Sequence, residues 1–269
     1  MSKENIPKII YHYTTQEGLL GTLNERALWA TKMHYLNDAS ELIEPFRIGI
    51  EELDQLSLLQ KENEDREIIS NLKDSIGNSR GENYCVVSFC TYGDLLSQWR
   101  AYGSFGSAYS VGFNFNKLQQ HISTYRFELR RCEYYEDKDY QAKIKEFIGS
   151  VVTKALSEKS GPRDFMDNFI NMAANMKLMC FKDEAEWRII STAPLSSNDP
   201  KYNFRASKSI LIPYYSLPIE LSLIDEIMVG PCPHPKLSLS TIWGLSHRYN
   251  LTNIQKGGIR SSNIPYRTF

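Results

Sequence analysis

The chain has 269 residues, and 31 Lys and Arg against 32 Asp and Glu leave a formal net charge of -1. Its 42% hydrophobic and 23% charged residues are those of a globular protein large enough to bury a core. Disordered, collagen-like and low-complexity classes are excluded, and so is a chain-wide basic field for nucleic acid.

In chain order, residues 9–13 (IIYHY) read as a strand, after which Thr14 or Thr15 can cap a helix carrying Leu19, Leu20 and Leu23 on one face. Residues 27–30 read as a second strand, and Asn37-Asp38 as a turn. Ile43, Phe46, Ile50 and Leu53 then recur at helical spacing from about Ser40. A short helix is expected between the charged stretch 60–66 and the loop-like 77–81. Residues 84–90 (YCVVSFC) are apolar nearly throughout, as a buried central strand requires. A short helix over 95–102, an alternating strand over 108–115 and a strand over 127–135 follow. Two helices are expected over 139–156 and 163–179, and strands over 187–191, 209–214 and 224–229. A helix over 235–249 and a short strand near Ile254 close the chain. The expected architecture is a single α+β domain over residues 1–269, with a mixed, mainly antiparallel central sheet and a helical insertion over 137–180.

No run of about 18 apolar residues could span a bilayer, so no membrane partner is expected. The start of the chain lacks the apolar core of a signal peptide. Five cysteines, an odd number spread widely, point to reduced thiols in the cytoplasm. Cys232 and His234 are a close pair without the second half that a zinc site needs, so no metal is expected. Walker-type phosphate loops, GxGxxG, GxSxG, HExxH and kinase signatures are all missing.

Four stretches carry chemistry. His12, between Tyr11 and Tyr13, sits on a strand, where a neutral imidazole can hold a ribose hydroxyl or serve as an ordinary structural partner. Asn37, Asp38 and Glu41 form a polar loop that caps the next helix or edges a cleft. Trp99 and Tyr102 share a helix face beside Arg100, either as a core aromatic pair or as a stacking wall with a fork for phosphate. In KDEAEWRII, strand alternation puts Glu184, Glu186 and Arg188 on one face and Ala185, Trp187 and Ile189 on the other. The apolar set faces the core, leaving a pair of carboxylates on a surface or in a cleft.

Taken together, YHYT, LWATKMHYLNDASE, SFC with LLSQWRAYG and SVGF, FKDEAEWRII and SSNIPYR resemble a bacterial family labelled domain of unknown function 2971, from about residue 9 to 267. A second resemblance bears on activity. ADP-ribosyltransferase-like proteins carry His, an aromatic or Ser, and Glu in that order, and this chain is similar in offering His12, then Ser88-Phe89 with Tyr102, then Glu186. The resemblance implies a split sheet and NAD as substrate, with Glu186 and Glu184 catalytic. It implies that His12, Tyr13, Ser88, Trp99, Arg100 and Tyr102 bind NAD, that Asn37, Asp38, Glu41 and Arg188 edge the cleft, and that no metal is needed. The acceptor would be a protein, a nucleic acid or water, and the setting a toxin or phage-defence effector. The chain departs from the arginine-specific branch in having no Ser-x-Ser at Ser88. Two other readings stand beside this one. One is a magnesium-dependent nuclease using Asp38, Glu41, Lys182, Glu184 and Glu186. The other is a non-enzymatic interaction module of a defence or stress operon.

Overall fold

The computed structural model describes residues 6–36, 40–79, 82–102, 108–161, 164–207 and 209–265. The β-branched and aromatic run at the start forms β1 (Ile9–Thr15). Thr15 ends the strand and caps α1 (Gln16–Glu25), its Oγ1 accepting the Gly18 N–H at 3.2 Å. Then come β2 (Ala27–Lys32), α2 (Ser40–Leu58), α3 (Asn63–Asn78) and the apolar β3 (Cys85–Cys90). The short α4 (Leu96–Tyr102) leads to β4 (Ala108–Asn114), α5 (Phe115–Ser123), β5 (Phe127–Arg131) and β6 (Glu133–Tyr135). The second half runs α6 (Asp137–Glu158), α7 (Phe165–Ala173), β7 (Met176–Leu178), a tight turn over Met179–Glu184, and β8 (Glu186–Ser191). It ends with β9 (Tyr202–Ala206), β10 (Leu211–Pro218), β11 (Ile224–Val229), α8 (Pro235–Arg248) and β12 (Ile259–Ser261).

The α+β expectation holds. Ten strands form one mixed sheet in which β11 and β12 are parallel and the other ladders antiparallel. The sheet forks at β3. One edge of β3 is fully paired, Val86 to Cys90 lying opposite Ile190 to Glu186 of β8. The other edge is shared. β2 takes Cys85 and Val86 at one end, and β1 takes only Cys90 at the other. From there β1 continues with β4, and β2 with β10, so the two branches splay apart. Between them Val87, Ser88 and Phe89 face an opening. A strand edge left open inside a sheet must find other partners for its backbone groups, and here that opening becomes a cleft.

Core residues fall into two main bodies. Ile10, Leu28, Val87, Phe113, Phe127, Trp187, Ile189 and Ile227 pack between the sheet and α1, α5 and α8. Ile48, Leu53, Ile69, Leu72 and Ile76 of α2 and α3 pack with Tyr140, Ile144, Ile148, Phe165 and Phe169 of α6 and α7. The helices within 137–180 therefore share one core with those of 40–78.

Several expected elements differ in detail. The helix over 163–179 stops at Ala173, because Asn171 and Asn175 turn their side-chain amides onto the backbone carbonyls of Asp167 and Asn171 and weaken the helix there. Residues 176–178 leave it to pair in parallel with β6. The strand over 127–135 divides at Cys132, whose N–H goes to the Glu186 carbonyl at 3.0 Å. β9 was not expected from its polar surroundings. It is an edge strand with alternating exposure, paired only with β10. The strand expected near Ile254 is a tight turn over Ile254–Lys256, and the strand itself follows at β12. Among the described residues no helix is long and apolar enough to cross a membrane.

Candidate functional site

A cavity of about 430 Å³ opens at the fork of the sheet. That lies within the range of pockets that bury a small organic ligand. β1 contributes His12 and Tyr13, β3 contributes Ser88, and α4 contributes Gln98, Ala101 and Tyr102. Glu184, Glu186 and Arg188 enter from the start of β8, Lys177 from β7 and Arg205 from β9. Residues as far apart in the chain as His12 and Arg205 thus meet in one hollow.

Glu186 anchors the polar end. It begins β8 after Ala185 takes a left-handed turn at φ 44°, and alternation then sends Trp187 and Ile189 into the main core, as expected. Glu186 and Arg188 take the other face and are buried. Arg188 grips the carboxylate with two parallel bonds, Nε to Oε1 at 2.8 Å and Nη2 to Oε2 at 2.9 Å, and its Nη1 donates to the Ala174 carbonyl at 2.7 Å. Lys177, only 3% exposed at its side chain, donates to Glu186 Oε2 at 2.8 Å and also to Glu184. Burial alone would raise the Glu186 carboxyl. The charges and hydrogen bonds of Arg188 and Lys177 outweigh it and hold the pKa down at about 2. Glu186 is therefore a fixed anion at neutral pH. A carboxylate offers about four lone-pair sites. Among the described residues three are taken, two on Oε2 and one on Oε1.

His12 spans the open edge of β3. Its Nδ1 lies 3.0 Å from the Ser88 carbonyl oxygen, which can only accept, so Nδ1 carries the hydrogen. Burial, aided by the Arg205 charge, lowers its pKa below the ordinary 6.5 despite that carbonyl. The imidazole is thus neutral, with Nε2 as an acceptor. Because the unfolded chain takes up the proton first, His12 removes stability as pH falls below about 6.5. A His12→Gln variant, compared by urea denaturation across pH 5 to 8, should show a flatter dependence. An unchanged slope would mean His12 is not the group responsible.

Tyr102 brings an aromatic ring to the wall, and its phenol pKa is pushed up to about 12 by burial and by the nearby charges of Glu186 and Glu184. Tyr13 lines the cleft too, but its hydroxyl is committed to the backbone, donating to the Tyr92 carbonyl at 2.8 Å and accepting the Leu95 N–H at 3.0 Å.

Two of the residues expected to bind NAD are placed elsewhere. Trp99 is 1% exposed, packs edge-on against Tyr13 at 4.7 Å and donates Nε1–H to Asp94 at 2.7 Å, so it is a core residue beneath the cleft. Arg100 is exposed one position along α4 and does not line the cavity, because helical spacing turns it away from the face that carries Ala101 and Tyr102. Asn37 and Asp38 lie outside the described residues, as does the side chain of Glu41. Glu184 belongs to the tight turn rather than the strand, yet it still reaches the cleft through Lys177. Among the described residues no group of three or more His, Cys, Asp or Glu is arranged to hold a metal ion. Of the residues suggested for a metal cluster, Glu184 and Glu186 are engaged by Lys177 and Arg188, and Lys182 is exposed.

Lys177 and Arg205 were missed by sequence reasoning. Lys177 sits in a stretch that reads as helix, and Arg205 in one that reads as loop. A cation with no local acidic partner in a weak element is the only sign either residue leaves.

A family model described as protein of unknown function (DUF2971) matches residues 98–189, which run from α4 to β8 and include QWRAYG and EAEWRI. The stretches around YHYT, LNDASE and SSNIPYR lie outside that match. No curated protein and no solved structure matches the chain, and none of these comparisons carries the ADP-ribosyltransferase resemblance.

Proposed function

We propose that the chain is an NAD-consuming enzyme that breaks the bond between nicotinamide and ribose and passes ADP-ribose to a protein, a nucleic acid or water. One observation carries the reading. His12, Tyr102 and Glu186 come from three distant parts of the chain and line a single cleft where the sheet splits. Each has a chemical state suited to one part of NAD. The neutral His12 Nε2 accepts a hydrogen bond from the adenosine ribose. The Tyr102 ring stacks on the flat nicotinamide. Glu186, ionised and aimed by Arg188 and Lys177, accepts the 2'-hydroxyl of the other ribose through Oε1.

As the C1'–N bond breaks, its electron pair leaves with nicotinamide, which departs neutral. The positive charge then resides on C1' and the ring oxygen, as in glycoside cleavage. A preorganised carboxylate is worth most against that developing charge, because it need not reorganise at the moment of reaction. The acceptor adds its electron pair to C1' and loses a proton, for which Glu184, lining the same cleft and less buried than Glu186, is assigned as the base.

Nicotinamide release from NAD, followed with the purified protein and cell lysate as acceptor source, tests the reading. Tyr102→Ala should lower kcat/KM about 10- to 100-fold, the worth of one aromatic stack of about 1–3 kcal/mol, and Tyr102→Phe should retain most activity. Absence of nicotinamide release by the wild-type protein, or full turnover by Tyr102→Ala, would refute it.

A further inference from the structure

We infer that Arg205 is the anion-binding residue of the cleft and that it receives a phosphate or pyrophosphate. Three observations lead there. First, the other two cations of the cavity are already engaged. Arg188 is locked on Glu186, and Lys177 is shared between Glu184 and Glu186. Second, Arg205 meets no carboxylate at ion-pair distance among the described residues. Its Nη2 donates to the Thr31 hydroxyl at 3.0 Å, and its Nε is buried with no hydrogen-bond partner among the described residues. A buried guanidinium N–H left unsatisfied is costly, and a ligand oxygen is the natural remedy. Third, the side chain is preorganised. The guanidinium lies 5.8 Å from the centre of the Trp29 ring, and that ring is itself braced by Tyr214 at 5.1 Å. This holds the planar fork in place, the geometry that matches phosphate oxygens.

Position agrees with chemistry. β9 is the outer strand of the branch that splays away from β1, so Arg205 approaches the cleft from the wall opposite His12. Its charge is felt at His12 and is influenced in turn by Tyr102 and by Glu17 of α1. Glu17 also lines the cavity, and it is the acid a bound anion must tolerate. Arg205 therefore lies where the link between the two riboses of a dinucleotide would pass. This placement rests on the NAD reading, whereas the affinity of Arg205 for an anion does not.

Four ligands separate the two claims by calorimetry on the full chain: NAD, ADP-ribose, nicotinamide riboside and inorganic pyrophosphate. The wild-type protein should bind all four. Arg205→Gln should weaken NAD, ADP-ribose and pyrophosphate by about tenfold or more, the scale of a charge-assisted hydrogen bond, and leave nicotinamide riboside unchanged. Arg205→Lys, which keeps a point charge without the fork, should fall between. Unchanged ADP-ribose affinity in Arg205→Gln would overturn the inference while leaving the NAD reading in place. An equal loss of nicotinamide riboside would also overturn it, by showing a structural role. Binding of pyrophosphate that depends on Arg205, without binding of NAD or nicotinamide riboside, would uphold the inference and remove the NAD reading. Binding of none of the four would end both.

Discussion

Glu186→Gln is expected to lower the unfolding free energy by about 3–5 kcal/mol, the usual result of leaving buried charges without their partner. Lys177 and Arg188 are both buried, and Glu186 pairs with both. Glutamine keeps the shape and removes the charge, so both cations lose that carboxylate, while Lys177 keeps its contact with Glu184, whose side chain is 33% exposed. Glu184→Gln should cost much less, about 1 kcal/mol or below, because that carboxylate is already partly solvated. The same argument sets the acid limb of stability. The Glu186 pKa is about 2 in the folded chain against an ordinary 4.5, so its stabilisation is fully present above pH 4.5 and is lost as pH falls toward 2. Its size is on the order of 3 kcal/mol, in line with the substitution. Urea titrations of wild type, Glu186→Gln and Glu184→Gln at pH 7 and pH 3 decide the matter. A glutamine variant at position 186 as stable as wild type would show that the cations find other partners.

Because Glu186→Gln confounds folding with turnover, the proposed catalytic role is read from Glu186→Asp. That change keeps the charge that Lys177 and Arg188 require and withdraws the carboxylate by one methylene, about 1.5 Å. A misplacement of this size costs about 100-fold in rate when a group acts by position. Nicotinamide release should therefore fall about 100-fold, while ADP-ribose, which shares the proposed 2'-hydroxyl contact, should lose affinity by a smaller factor. Turnover at the wild-type rate would show that the carboxylate at 186 maintains the fold and takes no part in the chemistry.

The elements with strong periodic patterns were legible from residues alone. The apolar run of β3, the Thr15 cap of α1 and the alternation of β8 each follow from local chemistry and appear as expected. From them came the α+β class, whereas the grouping of His12, Tyr102 and Glu186 came from the resemblance to ADP-ribosyltransferase-like proteins. Trp99 and Arg100 show the limit of that approach. They neighbour Tyr102 in sequence, but α4 is a single short helix, and its rotation sends one residue into the core and the other to solvent. A spacing of three residues says which side chains share a face, not which neighbour that face meets.

Local pattern and composition marked which short stretches could be strands and helices, that a core could form without disulfides, and which residue types were at hand for chemistry. Tertiary structure alone decided the fork. Whether β1 and β2 divide one edge of β3 depends on long-range ladders, which leave no mark in local pattern. It also decided the charge state of the site. Lys177 rides on β7, a strand of three residues that exists only because α7 fails and β6 is there to pair with it. Arg205 rides on an edge strand held from one side. Both elements owe their form to neighbours rather than to propensity, so the two cations they carry could be placed only once the chain had folded.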